Sequence, residues 1–336
     1  MLPFDSWDGS DCSNTIEQAK LEAFFGPTAV VFNSYQASIT AILEVLGSRT
    51  HELPVILPIT SSPDTISAVL RSGANPILLD INADSLQMEP ALLTEVLETI
   101  KSAVIILDRP GGMPVDPALL AIAKMLPTII DTRLPPHQGS TQDCVGTFTV
   151  FDFGPIIGTG SLVIHKFTHQ VRELKMVRNG LLGLAASMND ALCALAHKRL
   201  KSQPELQDRK AAQAQAVSLY RNLLEGKNHE IVFPECQERP YLMVVVENAN
   251  KVVAHLHSLG LPVVKPVFPL HYLPIMQRRW QETPEYPVAE SVFNRVVALP
   301  THPGILGKEA EIIERLLEID HEQERDSEEA KREDNH

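Results

Sequence analysis

Asp131, Arg133, His137 and Asp152 place two carboxylates, a guanidinium and an imidazole in one short stretch of chain. Brought together by a fold, they would supply the acid, base and cation that a polar catalytic site needs. The competing reading is that they satisfy one another in a collapsed pocket. Other candidate groups are weaker. His165 and His169 stand at i, i+4, a spacing that can put two metal ligands on one helix face, but a strand-to-helix junction is expected between them. Gly158-Thr159-Gly160 is a glycine pair without the remaining spacing of a dinucleotide loop, so it reads as a tight turn. Cys12, Cys144, Cys193 and Cys236 are too dispersed for a zinc knuckle or a redox pair and too few for a disulfide framework. No metal site is expected.

These side chains need strands and helices to hold them. The first half alternates short apolar runs with amphipathic stretches, the pattern of parallel strands joined by helices. Ala29 to Phe32, Pro54 to Leu57, Pro76 to Asp80, Ala103 to Leu107 and Pro127 to Asp131 read as strands, with helices at Pro63 to Ser72 and Glu89 to Ile100. Asp116-Pro117 reads as a helix start, because the carboxylate accepts an orphan amide and proline is pre-set for the first turn. Two further strands, Phe148 to Phe151 and Ser161 to Ile164, flank the glycine turn, and a long helical region follows from His169 to Lys201. Beyond the break at Ser202-Gln203-Pro204 lie a helix to Leu224, a strand at Tyr241 to Val246, a helix at Asn250 to Leu259 and a last helix at Lys308 to Ile319. The expected division is a large domain over 1–203, a smaller α+β lobe over 204–320 and a charged tail over 321–336. Ligands of parallel α/β sheets sit at the carboxyl ends of strands, which singles out Asn33, Thr60, Asp108, Asp131 and Asp152.

Composition narrows the partners. With 29 basic and 42 acidic residues in 336, the net charge is −13, a field that repels phosphate backbones and anionic lipid. Neither nucleic acid nor a membrane is an expected partner, and no apolar run is long enough to span a bilayer. Met1 to Asp11 is acidic and polar where a signal peptide would be basic and then apolar. A reducing cytoplasm is the expected compartment.

An ordered series of segments extends the reading. Ala68-Val69-Leu70-Arg71-Ser72-Gly73-Ala74-Asn75-Pro76-Ile77, Gly112-Met113-Pro114-Val115-Asp116, Ile130-Asp131, Val177-Arg178-Asn179-Gly180, Phe268-Pro269-Leu270-His271 and Leu299-Pro300-Thr301-His302-Pro303-Gly304 occur in sequence. Together they resemble the DegT/DnrJ/StrS sugar-nucleotide aminotransferases. The resemblance implies an α/β fold-type-I scaffold with a mixed, mainly parallel sheet and a smaller C-terminal lobe. It also implies a homodimer, and pyridoxal phosphate (PLP) held on a lysine with an aspartate at the ring nitrogen. Asp131 stands where that aspartate belongs, and a carboxylate there would raise the nitrogen's pKa.

The rest of the cofactor set departs from the family pattern. The lysine position falls at Ile157, inside Asp152-Phe153-Gly154-Pro155-Ile156-Ile157. Without an amine neither the covalent link nor the proton shift of transamination has a carrier. Lys166 is expected at the far end of the sheet. The phosphate-holding serine becomes Asp152, and two like charges about 4 Å apart cost roughly 4 kcal/mol at an effective dielectric of 20. The phosphate cradle at a helix N-terminus becomes Tyr35-Gln36. No aromatic ring stands at Thr60 to Ser62 to stack on the cofactor, and Leu182-Gly183-Leu184 and Leu134 replace polar contacts.

The expectation is therefore an aminotransferase-like protein without PLP and without transaminase activity, a binding or partner subunit in sugar-nucleotide or surface-glycan metabolism. Its expected ligand is a sugar nucleotide or a partner protein. Two alternatives stand beside it: an active PLP-dependent sugar-nucleotide aminotransferase, and a PLP-free enzyme using Asp131, Arg133, His137, Asp152 or His271 in the same cleft. His271 and His302 also read as turn residues of the small lobe.

Overall fold

The computed structural model describes residues 16–48, 52–133, 135–136, 146–227, 229–232, 241–279 and 284–319. By internal contacts the chain divides into two compact units, one of Met1–Asn82 with Leu86–Gln203 and the other of Ala83–Ser85 with Pro204–His336.

The first unit is built on a seven-stranded sheet. In chain order its elements are α1 (Ile16–Phe25), β1 (Ala29–Phe32), α2 (Tyr35–Val45), β2 (Pro54–Pro58), α3 (Pro63–Arg71), β3 (Asn75–Leu79), α4 (Pro90–Thr99), β4 (Val104–Asp108), α5 (Pro117–Ala123), β5 (Thr128–Asp131), β6 (Phe148–Asp152), α6 (Gly154–Ile157), β7 (Ser161–His165), α7 (His169–Arg178) and α8 (Asp190–Lys201). The strand order is β1-β7-β6-β5-β4-β2-β3, with β7 antiparallel to both its neighbours and the other pairs parallel. This is the α/β, mainly parallel architecture that the alternation of apolar runs predicts. Both faces are covered, as parallel strands require. One face carries Leu21, Ala29, Val31, Phe151 and Leu162 in one cluster and Ile56, Leu93, Ile105, Leu119 and Ile130 in another, packed by α1, α8, α4 and α5. Side chains alternate along a strand, so Asp108, Asp131 and Asp152 project to the opposite face, where α2 and α3 pack.

The edge strand β1 is sealed by side chains. Glu22, only 4% exposed, accepts the Val31 amide at 3.0 Å and the guanidinium of the fully buried Arg178, which also reaches the Val31 carbonyl at 3.2 Å. Lys175 adds an ion pair to Glu22 at 2.8 Å. An exposed strand edge is a template for unwanted pairing, and this network occupies it.

The long helix predicted from His169 to Lys201 is two helices. Gly180 at φ 116° and Gly183 at φ 81° adopt left-handed backbone that ends α7, and Asn189 then caps α8 by accepting the Ala191 amide at 2.7 Å. The Asp116-Pro117 start is as predicted, with the Asp116 carboxylate accepting the Ala118 amide at 2.7 Å.

The second unit contains α9 (Gln203–Leu224, from Pro204 onward), β8 (Ile231–Val232), β9 (Tyr241–Val245), α10 (Ala249–Ser258), α11 (Pro274–Gln277), α12 (Pro287–Arg295), β10 (Val296–Pro300) and a last helix over 309–319. Its antiparallel sheet has the order β10-β9-β8. Ile312, Ile313 and Leu316 are buried against Val217, Tyr220, Leu242 and Val297, with Leu317 at the margin, so the apolar stripe of the last helix is core packing. Among the described residues, no helix is long and apolar enough to cross a membrane.

Candidate functional site

Three adjacent parallel strands of the first unit end in a carboxylate: β4 in Asp108, β5 in Asp131 and β6 in Asp152. Asp108 and Asp131 are direct register partners. Two helix N-termini meet this row. Ser34 caps α2 by accepting the Ala37 amide at 3.2 Å, which sets Tyr35 as the first helical residue. Ser62 caps α3 by accepting the Thr65 amide at 3.1 Å, with Pro63 behind it. The capping sequence Ser62-Pro63-Asp64-Thr65 thus brings a hydroxyl, an acid and a second hydroxyl to the strand ends.

Asp131, 2% exposed, is fully engaged. The Tyr35 hydroxyl donates to its Oδ1 and the Thr65 hydroxyl to its Oδ2 at 2.6 Å. Arg133 approaches Oδ1 with Nε at 3.4 Å, and its guanidinium carbon lies 3.8 Å from the centroid of the Tyr35 ring. The same guanidinium donates to Ser62, to Thr65 at 3.3 Å and to Asp64 at 3.3 Å. Arg133 reaches this position with left-handed backbone at φ 49°, a conformation that costs a non-glycine residue energy and needs fixed surroundings. Burial pushes the Tyr35 hydroxyl well above the usual tyrosine range, and Asp131 pushes it further. Burial alone would lower Arg133, but the charges of Asp131, Tyr35 and Asp64 outweigh it and leave the guanidinium raised.

The flanking acids are less well matched. Asp152 is half-buried and accepts the Gly154 amide at 2.7 Å; burial raises its pKa against the pull of that amide and of Arg133. Asp108 accepts the Ser61 hydroxyl at 3.0 Å through Oδ2, while its buried Oδ1 has no hydrogen-bond partner. Burial and then the charge of Asp131 hold Asp108 well above the usual carboxylate range. The neighbouring Arg109 donates to the carbonyls of Met113 at 3.0 Å and Gly112 at 3.2 Å, which ties down the glycine turn.

The sequence-predicted residues divide accordingly. Tyr35, Asp131 and Arg133 converge, with Asp152 in electrostatic range of the last two. Gln36 turns to the Ser67 hydroxyl at 2.6 Å, and Thr159 and Ser161 donate to the carbonyls of Asn33 and Ser34, both at 2.9 Å. Ile157 packs at the margin of the apolar cluster of Leu21, Phe25 and Phe153, together with Phe24 and Leu192. Lys166 pairs with Thr147 at the other end of the sheet, as predicted. His137, Leu134, Cys12, Cys144 and Cys236 lie outside the described residues. His271 belongs to the second unit, where its Nε2 is 3.1 Å from Glu290 and its ring stacks on Tyr286 at 5.2 Å. Sequence reasoning missed Ser61, Ser62, Asp64 and Thr65 as members of the cluster. Their signal was the capping pattern, which reads as a helix start without revealing what else it touches.

PLP would need an amine for its aldehyde, donors for its phosphate, and an acid free to meet its ring nitrogen. Here both oxygens of Asp131, the aspartate that the sequence resemblance assigns to that role, are bonded to the chain's own side chains, and the positions it assigns to the lysine and to a phosphate contact carry Ile157 and Asp152. These residues do not fit the cofactor. Among the described residues, no group of three or more His, Cys, Asp or Glu side chains is placed to hold a metal ion.

The fold is shared with known aminotransferases. The putative sugar aminotransferase Spr1654 from Streptococcus pneumoniae, in its PMP form, superposes with a TM-score of 0.79 at 19% identity over 92% of this chain and 93% of its own. PseC from Helicobacter pylori, an aminotransferase involved in pseudoaminic acid biosynthesis, gives 0.78 at 17% identity over 91% of each chain. A family protein from Brucella abortus gives 0.76 at 20% identity over 91% of each. No curated protein matches the sequence. The family model matches residues 13–131 and 158–317, stopping at Asp131 and resuming after Ile157. With most of its length matched in this way, the chain belongs to the DegT/DnrJ/EryC1/StrS aminotransferase family.

Proposed function

We propose that this chain is an aminotransferase-like member of its family that works without PLP and transfers no amino group, serving as a homodimeric binding or partner subunit in sugar-nucleotide or surface-glycan metabolism. One observation carries the reading: each oxygen of the Asp131 carboxylate already accepts a side-chain hydroxyl, from Tyr35 and from Thr65, with the Tyr35 ring standing against it and Arg133 pairing its charge. Ile157 supports it, because it is the residue that the sequence resemblance assigns to the family's attachment point, and it carries no amine. The sugar context rests on relatives described as sugar aminotransferases and on one described in pseudoaminic acid biosynthesis.

The test is direct. Purified protein is mixed with PLP, its visible absorption is recorded, and the mixture is reduced with borohydride and mapped by mass spectrometry. The expected result is the spectrum of free cofactor and no modified peptide from the cleft. A protein-bound band that reduction abolishes, with a labelled lysine, overturns the proposal.

A further inference from the structure

We infer that Tyr35 is an internal ligand, an aromatic ring supplied by the chain itself to the row of strand-end carboxylates. Its surroundings have the form of a recognition site for a ring bearing one donor. The hydroxyl meets a carboxylate, Asp131, and lies 3.4 Å from the Val150 carbonyl. A planar cation, Arg133, covers the face at 3.8 Å, the geometry of a cation–π contact. The residue is 6% exposed and stands at the start of α2, so the ring is fixed by a capped helix rather than by a loop. Arg133 is held over it by Ser62, Asp64 and Thr65 despite its left-handed backbone. Acceptor, cover and walls are all present, and the group they bind is a side chain.

The inference rests on the proposed function and adds to it a chemical class. With Tyr35 removed, the site would take a small phenol, and it would disfavour anionic ring compounds because the Asp131 carboxylate faces the hydroxyl position. The experiment is a thermal-unfolding titration of the full chain with p-cresol, the free form of the tyrosine side chain. Tyr35→Ala is expected to lower Tm by roughly 10 °C, and p-cresol to restore a saturable part of that loss. Toluene, lacking the donor, is expected to bind Tyr35→Ala about tenfold more weakly. Wild type and Tyr35→Phe, whose rings fill the space, are expected to show no saturable response.

Absence of a saturable p-cresol effect in Tyr35→Ala, or an equal effect in wild type, overturns the inference. Should Tyr35→Ala not fold, acetylation of native wild type with N-acetylimidazole decides. Tyr272, 37% exposed, is expected to be labelled and Tyr35 protected, and labelling of Tyr35 to the same extent overturns it. The borohydride experiment on wild type separates the two readings. Trapped PLP defeats the proposed function, whereas no trapping together with no p-cresol response defeats the internal ligand alone.

Discussion

Replacing Asp131 by asparagine keeps the shape of the side chain and removes its charge. At 3.4 Å and an effective dielectric of 20, the Asp131–Arg133 attraction is about 5 kcal/mol before desolvation. Arg133 is 31% exposed and retains Asp64, Ser62 and Thr65, so solvent and the remaining partners return part of this. The asparagine amide must also face the Thr65 hydroxyl that now donates at 2.6 Å. A net loss of about 2–3 kcal/mol follows, below the full range for breaking a buried pair. For a unit of this size that corresponds to a drop in Tm of roughly 5–10 °C, read by calorimetry. In a double-mutant cycle with Arg133→Gln, the two losses should fall short of additivity by about 1 kcal/mol or more. The sign is the decisive part. Working active sites hold poorly compensated charges, and removing such a charge commonly stabilises the fold. An Asp131→Asn variant with raised or unchanged Tm would refute the claim that this carboxylate is satisfied from within.

Asp108→Asn should act in the opposite direction. Its carboxyl is held above the usual range by burial and by Asp131, so the folded state binds more protons than the unfolded state, and stability falls as pH rises from the ordinary carboxylate range through the raised folded value. The variant should gain about 1 kcal/mol at neutral pH, with the gain disappearing below the ordinary carboxylate range; a gain that persists in acid would contradict this. Ile157→Lys alone should yield no borohydride-trapped PLP by mass spectrometry, since position 157 packs among Phe24, Leu192 and Phe153 and Tyr35 still occupies Asp131. Glu22→Gln should cost about 3 kcal/mol by denaturant unfolding and speed hydrogen exchange at the Val31 amide, because Arg178 is left buried with its main countercharge gone.

Much of the first unit was legible because its strands are apolar runs ended by turn residues. Ala29–Phe32 is as predicted, and β3 is displaced by one residue, Asn75–Leu79 in place of Pro76 to Asp80. The break between α7 and α8 was written in Asn179-Gly180, Gly183 and Asn189, but apolar periodicity on either side masked it. In the second unit, Leu299 to Gly304 reads as a motif, and only the structure shows that it begins at the end of β10. The site was legible in its parts. A bulky residue at the start of α2 and an aspartate at the end of β5 were both evident, yet the bond between them joins positions 96 residues apart. Local spacing carries no information about such a contact.

That contact separates two ways in which a cofactor site can be altered. Loss of a lysine alone leaves polar groups that once met a ligand facing an empty space, and each buried group without a partner costs about 1–3 kcal/mol. At Asp131 no such debt remains. Tyr35 brings a donor to one oxygen and Thr65 to the other, and Arg133 covers the new ring while neutralising the acid. These changes depend on one another: without Arg133 the Tyr35 face loses its cover, and without Tyr35 the guanidinium loses its seat. Among the described residues of this row, two buried atoms have no hydrogen-bond partner: Arg133 Nε, 3.4 Å from Asp131 Oδ1, and, one strand away, Asp108 Oδ1. The residues around Asp131 therefore act as one polar core cluster, and under the proposed function a variant meant to bind PLP needs Tyr35 removed as well as an amine supplied.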